Sequence, residues 1–164
     1  MNFPNLIFGA LAVLSFALLL WQFFAARKFP LHRRIAETNF APAVSLLKPL
    51  KGCDETSADS LRSWFQQNYA GEIEILFGVA DANDPVCEIV RQLITENPNC
   101  AARLVVCGNL NGANAKVAML AQLEKLARHV GSVGSDADVR VPPDFLTNAV
   151  APLRDEKIGL VNCF

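Results

Sequence analysis

The sequence has little net charge, only two histidines and no paired cysteine motif. Its formal net charge is −1 and its pI is about 6.1, so it lacks the basic excess typical of proteins that bind nucleic acid. Its five cysteines include no Cys-x-x-Cys pair, and neither His32 nor His129 lies beside a cysteine cluster. We therefore expect no nucleic-acid partner and no zinc site, and we interpret the cysteines as small hydrophobic residues of a reducing compartment.

Charged residues are also absent from the first 26 positions. As a helix, the apolar run Leu6–Ala26 would span roughly 30 Å, the thickness of a bilayer core. Arg27 and Lys28 follow at once, and the positive-inside rule then places the rest of the chain in the cytosol. A cleaved signal peptide would instead carry its charge before a shorter apolar run. The sequence therefore predicts a retained transmembrane anchor over residues 1–27.

After a basic linker over residues 28–42, short apolar runs alternate with segments of helical periodicity. Strands are predicted at Ala43–Leu47, Ile73–Val79, Arg103–Cys107, about Gly131–Ser135, and Ile158–Phe164. Helices are predicted at Asp54–Asn68, after Asp84-Pro85, at Ala115–His129, and after Pro142-Pro143-Asp144. This alternation predicts an α/β domain over residues 43–164, with a mostly parallel sheet and helices on both faces. Ligands of such sheets bind at the carboxyl ends of the strands.

Two aspartates that are two positions apart, Asp136 and Asp138, directly follow the predicted fourth strand. If the backbone turns between them, both carboxylates can contact one hard cation. Mg²⁺ and Mn²⁺ take oxygen ligands of this kind and bridge readily to phosphate. Such a cation neutralises a diphosphate leaving group as a Lewis acid. The alternative interpretation of so short a motif is a solvated acidic turn.

Other polar residues also follow predicted strands. Asp81 comes after the second strand, where its carboxylate could meet a nucleoside or simply support a turn. Asn114 and Lys116 lie at the start of a helix, whose positive dipole end suits anionic phosphate, although a solvated lysine is an equal alternative. Lys48 and Lys51 follow the first strand, and we interpret them as more typical of solvated lysines than of ligands.

The chain resembles the ceramide glucosyltransferase family, and equally the related bacterial hopanoid-biosynthesis glycosyltransferases. The resemblance lies in four segments that occur in the same order: VSLLKPLKG at Val44–Gly52, FGVAD at Phe77–Asp81, GANAKV at Gly112–Val117 and SDADVRVPPDFL at Ser135–Leu146. It implies a GT-A fold, a UDP-sugar donor, a Mn²⁺ or Mg²⁺ ion, a membrane lipid acceptor and a place in a membrane, which we expect to be the bacterial inner membrane.

The same resemblance implies roles for individual residues. Asp81, Asn114, Lys116 and Asp136 would bind the nucleotide sugar, and Asp136 with Asp138 would hold the metal. The family's carboxylate base and its Gln/Arg-x-x-Arg-Trp motif lie further downstream, so we expect both beyond Phe164. Residues 43–164 would then be a partial domain that carries the donor half of an inverting glycosyltransferase.

Two other functions remain open for this chain. One is a catalytically inactive, membrane-anchored module that kept the fold and acts through partners. The other is a glycosyltransferase of the same fold that makes polysaccharide, although the VSLLKPLKG segment favours the lipid enzymes.

The sequence before the acidic pair also departs from the family, because Gly131 and Gly134 replace an apolar strand, and glycine weakens a strand interior.

Overall fold

A computed structural model describes residues 3–28, 39–108 and 114–163 of the chain. Its first element, α1, runs from Phe3 to Lys28 and ends with two basic residues, Arg27 and Lys28. The predicted apolar run is therefore helical throughout. By length and composition α1 could cross a membrane, and it is the one such helix among the described residues.

The α/β domain is built on a parallel sheet whose described strands number four. They are β1 (Val44–Pro49), β2 (Ile73–Val79), β3 (Ala101–Val106) and β4 (Gly131–Gly134), in the spatial order β3-β2-β1-β4. Leu47 in β1 pairs with Leu76 on one side and with Gly134 on the other. Because all four strands are parallel, their carboxyl ends lie along one edge. The predicted parallel sheet is confirmed, and Ile73–Val79 has the bounds that the sequence predicts.

Helices cover both faces of the sheet, as predicted. They are α2 (Ser57–Phe65), α3 (Val86–Glu96), α4 (Ala115–Leu126) and α5 (Phe145–Val150), the last continued by a 3₁₀ helix at Ala151–Arg154. Side chains alternate along each strand, so one face of the sheet packs on α2, α3 and α5 and the other packs on α4. The strand β1 is buried on both faces, which accounts for its nearly continuous apolar sequence.

The close packing of α4 on the sheet depends on Gly78 in β2. A Cβ atom at this position would lie 2.9 Å from Leu123 Cδ1 and 3.0 Å from Met119 Cγ, both on α4. Real side chains do not approach this closely without displacement. The missing side chain therefore lets the helix lie close against β2.

The strand predicted at Ile158–Phe164 is wrong over residues 158–163, which carry no strand; Phe164 lies outside the described residues. The Ile158 N–H donates to the Asp155 carbonyl at 2.8 Å, in a turn that follows the 3₁₀ helix. A short apolar run becomes a strand only where it pairs with a neighbour, because cross-strand contacts supply most of the stabilisation. Leu160 accordingly stays exposed.

Two predicted helices are longer than the observed ones. The helix predicted at Asp54–Asn68 is observed as Ser57–Phe65. The helix predicted to run to His129 ends at Leu126, because Ala127 takes extended backbone with ψ of 136°. The first helix is shorter at both ends and the second at its carboxyl end, so the apolar pattern alone does not locate the ends.

At the amino edge of the sheet, the buried carboxylate of Glu74 joins several elements. The side chain accepts hydrogen bonds from Ser45 Oγ at 2.9 Å, Arg103 Nη2 at 2.8 Å and the Arg128 N–H at 2.9 Å. Burial by itself raises the pKa of Glu74, but these donors and the charge of Arg103 outweigh it, and the pKa is held below its ordinary value. One carboxylate thus ties β1, β2, β3 and the segment before β4 together.

We expect Glu74→Gln to lower the free energy of unfolding by about 1–3 kcal/mol at neutral pH, because buried donors lose a charged acceptor. The folded-state pKa lies below the unfolded value, so this stabilisation is present above the ordinary glutamate pKa of about 4.3 and is lost as the pH falls through the folded value. The difference between wild type and variant should therefore shrink in acid. Urea unfolding followed by circular dichroism, at neutral and acid pH, measures it.

The matched control is Glu72→Gln, which changes an exposed carboxylate at the same edge of the sheet. Its effect should stay within about 0.5 kcal/mol at either pH. Equal destabilisation by the two variants would contradict the role given to Glu74.

Candidate functional site

The carboxyl edge of the sheet gathers most of the residues that the sequence singles out. The Ser135 N–H donates to the Leu47 carbonyl at 3.2 Å, so the acidic turn that carries Asp136 and Asp138 begins directly beside the end of β1. Asp81 follows β2, on the other side of β1. Neighbouring strands lie about 4.8 Å apart, so two strand spacings, about 10 Å, separate β2 from β4. The topology therefore brings these carboxylates to one edge at different positions along it.

The backbone after β4 is held in place by α2. Residues 135–144 carry no helix or strand, and side chains from one face of α2 hydrogen-bond their backbone. The contacts are Ser60 Oγ to the Asp138 carbonyl at 3.2 Å, Trp64 Nε1 to the Val139 carbonyl at 2.9 Å, and the Val141 N–H to Ser63 Oγ at 3.1 Å. Both aspartate side chains remain exposed above this segment.

Lys116 and Asp136 form an ion pair across the site. Lys116 Nζ donates to Asp136 Oδ1, and the side chains are 50% and 57% exposed, respectively. An ion pair this exposed adds only about 0–1 kcal/mol to stability, so a competing ligand can replace either partner. Lys116 also lies in the first turn of α4, at the positive end of the helix dipole. The structure thus brings together two of the residues predicted to bind the donor.

Asn114 is the N-terminal cap of α4. Its side-chain oxygen accepts from the Lys116 N–H at 3.1 Å and from the Val117 N–H at 3.3 Å. This oxygen is therefore committed to the helix that carries Lys116, and a direct contact between Asn114 and the donor stays a prediction. The loop before it, residues 109–113, lies outside the described residues.

Asp81 is exposed and forms a local turn, in which its Oδ1 accepts from the Asn83 N–H at 2.9 Å. The neighbouring Asp84 accepts from the N–H of Val86, the first residue of α3, at 3.0 Å. Asp84 also accepts from the Gly52 N–H at 2.9 Å, where the positive φ of 67° suits glycine. The loops after β1 and β2 are therefore fixed to each other, and Asp81 lies on their surface.

Lys48 is buried, so the expectation that it is a solvated lysine is wrong; its exposed fraction is 0%. Its Nζ donates to the Asp136 carbonyl and, at 3.3 Å, to Ser135 Oγ. It also lies 4.5 Å from the centroid of the Trp64 ring, a cation–π distance. Burial lowers the pKa of Lys48 to about 8, although the carboxylates of Asp136 and Asp138 act to raise it.

The signal that identifies Lys48 is the register of β1. Side chains alternate along a strand, so Lys48 lies on the same face as Val44 and Leu46, which are core residues. A lysine in the register of core positions, within a run buried on both faces, indicates a specific internal partner. Lys51, beyond the end of the strand, is exposed as expected.

Asp136 and Asp138 could serve as ligands of a hard cation. Two exposed carboxylates supply the oxygen atoms that Mg²⁺ and Mn²⁺ prefer. No group of three or more His, Cys, Asp or Glu residues that could hold a metal occurs in the described part of the chain. The donor set therefore fits a cation whose remaining positions are filled by diphosphate oxygens and water, and it does not fit a closed all-protein metal site.

Comparisons with a family model and with individual proteins agree on the family of this chain. The model of the family described as "Glycosyl transferase family 21" matches residues 7–164. The chain is 31% identical over 134 residues to ceramide glucosyltransferase 1 of Caenorhabditis elegans. This alignment covers 81% of the chain and 28% of that protein. It is also 31% identical over 121 residues to the ceramide glucosyltransferase of Candida albicans, in an alignment that covers 67% of the chain and 22% of that protein. The chain thus spans less than a third of the length of these relatives.

Solved structures with the same fold include a mannosyltransferase and the protein TarS. Mannosyltransferase PcManGT from Pyrobaculum calidifontis, in complex with GDP-Man and Mn²⁺, superposes with a TM-score of 0.71 and 22% identity over 92% of this chain and 44% of that one. TarS from S. aureus, in complex with UDP-GlcNAc, gives a TM-score of 0.54 and 16% identity over 70% and 32%. Similarity at this level shows the fold alone, and it confirms the predicted GT-A architecture.

We expect Asn114→Ala to lower the free energy of unfolding by about 1 kcal/mol, because two N–H groups in the first turn of α4 lose their acceptor. Asn114→Ser keeps an oxygen that can cap the helix and should cost clearly less. Urea unfolding of the full chain in detergent micelles measures both variants. Equal losses for alanine and serine would contradict the capping role.

Proposed function

Because the chain belongs to glycosyl transferase family 21, we propose that it forms the donor side of an enzyme that transfers a sugar from a UDP-sugar to a membrane lipid. We take the acceptor to be a ceramide- or hopanoid-like lipid, since the relatives are ceramide glucosyltransferases and the sequence resembles both groups. The chain spans 28% of the C. elegans relative, so the complete reaction is proposed for the protein that contains this segment.

One observation carries the proposal: the acidic turn lies beside Lys116 at the carboxyl edge of the sheet. Two carboxylates and an ammonium group suit a cation and a diphosphate that arrive together. A solvated acidic turn would not need the hydrogen bonds from α2 that fix its backbone. The edge is also where open parallel sheets bind their ligands.

Each site residue has a distinct role in this proposal. Asp136 and Asp138 hold a divalent cation, Mn²⁺ or Mg²⁺, which when bound neutralises the charge of the departing diphosphate. Lys116 would bind a phosphate oxygen of the donor at the start of α4, in place of its ion pair with Asp136. Asn114 acts through Lys116, because it holds the helical turn on which that lysine lies. Asp81, about two strand spacings away, accepts hydrogen bonds from the nucleoside.

The reaction is proposed to invert the anomeric centre by direct displacement. A carboxylate base takes the proton of the acceptor hydroxyl, whose oxygen attacks the anomeric carbon as the bond to the diphosphate breaks. The described residues serve the leaving-group side of this step. They would stabilise the negative charge of the departing diphosphate.

We propose that α1 anchors the domain to the membrane that contains the acceptor. The helix has 26 residues and ends in Arg27 and Lys28. Arg27 lies 5.2 Å from the ring centroid of Phe23, so an aromatic residue and a cation occur together where an interface would lie. The positive-inside rule would place the basic end, and the domain that follows it, in the cytosol, at the bacterial inner membrane if the protein is bacterial.

We expect Asp136→Asn and Asp138→Asn each to weaken the binding of UDP with Mn²⁺ by at least about tenfold, because each removes an anionic ligand of the cation. Isothermal titration calorimetry of the full chain in detergent micelles measures this. Asp59→Asn is the matched control, since Asp59 is an exposed carboxylate of α2 that pairs with Arg62. Wild-type affinity in both turn variants would reject the assignment.

Lys116→Met should have opposite effects on cation and nucleotide. Loss of the competing ammonium frees Asp136, so Mn²⁺ alone should bind about twofold to fivefold more tightly. Loss of a charged phosphate partner should weaken UDP binding in the presence of Mn²⁺ by about tenfold. Free Mn²⁺ is measured by electron paramagnetic resonance and UDP binding by calorimetry.

Lys125→Met provides the control for Lys116→Met, because it removes the same charge from the last turn of the same helix. Neither Mn²⁺ nor UDP affinity should change in it. Weaker Mn²⁺ binding or unaltered UDP binding in Lys116→Met would show that the ion pair is not the exchangeable contact proposed.

A further inference from the structure

Lys48 and Glu74 are the two charged residues buried in the described part of the chain. The charge of Glu74 is balanced by Arg103 and Arg128 at the amino edge. Lys48 lies near the opposite edge, and its ammonium donates to a backbone carbonyl and a hydroxyl of the acidic turn rather than to a carboxylate. Because the buried ammonium of Lys48 bonds the Asp136 carbonyl, its role is to be sought in the position of that peptide group.

The place of Lys48 follows from strand pairing. Leu47 pairs with Gly134, and the Ser135 N–H continues the ladder to the Leu47 carbonyl. The next residue of β1 therefore reaches the first peptides beyond β4 from inside the core. Trp64 of α2 closes the other side, with its ring 4.5 Å from the ammonium.

We propose that Lys48 is a positioning residue, whose ammonium fixes the Asp136 carbonyl from within the core and so directs the Asp136 and Asp138 carboxylates toward one cation. The inference rests on the proposed function for the identity of that cation. It adds a residue that never touches the donor, because Lys48 is fully buried beneath the turn.

A purely structural role predicts something different. Burying an ammonium is costly, and apolar residues of similar volume commonly replace buried charges without loss of stability. Methionine has nearly the length of lysine and would pack against the same tryptophan ring. If Lys48 served only the core, Lys48→Met would leave the acidic turn unaffected or would unfold the domain as a whole.

Simple electrostatics also gives a distinct expectation. Lys48 carries a positive charge beside the proposed cation site, and its removal should by itself make Mn²⁺ bind more tightly. The positioning role predicts weaker binding, because the carboxylates are no longer held in a common orientation. The sign of the change in Mn²⁺ affinity therefore separates the two effects.

The experiment compares the wild-type chain, Lys48→Met and the control Lys51→Met, all at full length in detergent micelles. Free Mn²⁺ is measured by electron paramagnetic resonance, and amide hydrogen exchange is followed in peptides that cover residues 135–141. We expect Lys48→Met to weaken Mn²⁺ binding at least about tenfold and to speed exchange in that segment, with the midpoint of thermal unfolding unchanged within a few degrees. Lys51→Met, at an exposed position just after β1, should match wild type.

Unchanged or tighter Mn²⁺ binding in Lys48→Met, together with unchanged exchange at residues 135–141, would overturn the proposal. If Lys48→Met fails to unfold cooperatively, Lys48→Gln replaces it, and the same two readouts decide. If the wild-type chain itself binds no Mn²⁺, the proposed function fails, while exchange in the ligand-free chain still decides whether Lys48 positions the turn.

Discussion

The backbone between Asp136 and Val141 has no helix or strand to hold it, and its position depends on hydrogen bonds from two buried sources. One is the face of α2 that carries Ser60 and Trp64; the other is the ammonium of Lys48. Both sources are themselves fixed by the core, since Trp64 is buried between the sheet and Phe145. The exposed carboxylates thus take their places from packing inside the domain.

Asp136 is contacted by two lysines of different character. Lys48 reaches the backbone carbonyl from the core, where weak screening makes a charge-assisted hydrogen bond strong. Lys116 reaches the carboxylate from solvent, where the same kind of contact is weak and readily exchanged. Two aspartates and two lysines balance in charge within this group. A divalent cation that enters with a diphosphate changes that balance little.

The sequence predicts the parts of the fold that depend on local pattern. The buried run Ile73–Val79 and the helix that follows Asp84-Pro85 are found as the pattern indicates. Asp136 and Asp138 are expected after a strand even though Gly131 and Gly134 weaken the pattern of that strand. Their position follows from the alternation of strands and helices, which does not depend on the composition of any one strand.

The contacts that hold the site could not be predicted in the same way. Ser60, Ser63 and Trp64 bond a segment 75 to 78 residues later, and serines on a helix face look the same whether they face solvent or a distant backbone. Lys48 was identifiable from its register in β1, but its partner was not. The strand expected at Ile158–Phe164 is an error of the opposite kind. Its apolar pattern suits a strand, but residues 158–163 pair with no strand of the sheet and form none themselves.

Gly78 has an influence that extends beyond the two side chains it faces. The hydrogen atom at this position determines how near the axis of α4 lies to β2, and the first turn of that helix carries Lys116. Asp136, by contrast, is located from the opposite face of the sheet, where Lys48 bonds its carbonyl and α2 bonds the residues that follow it. The distance between Lys116 and Asp136 therefore depends on two separate packings: that of α4 on one face of the sheet and that of the acidic turn on the other. Gly78 determines the first of these.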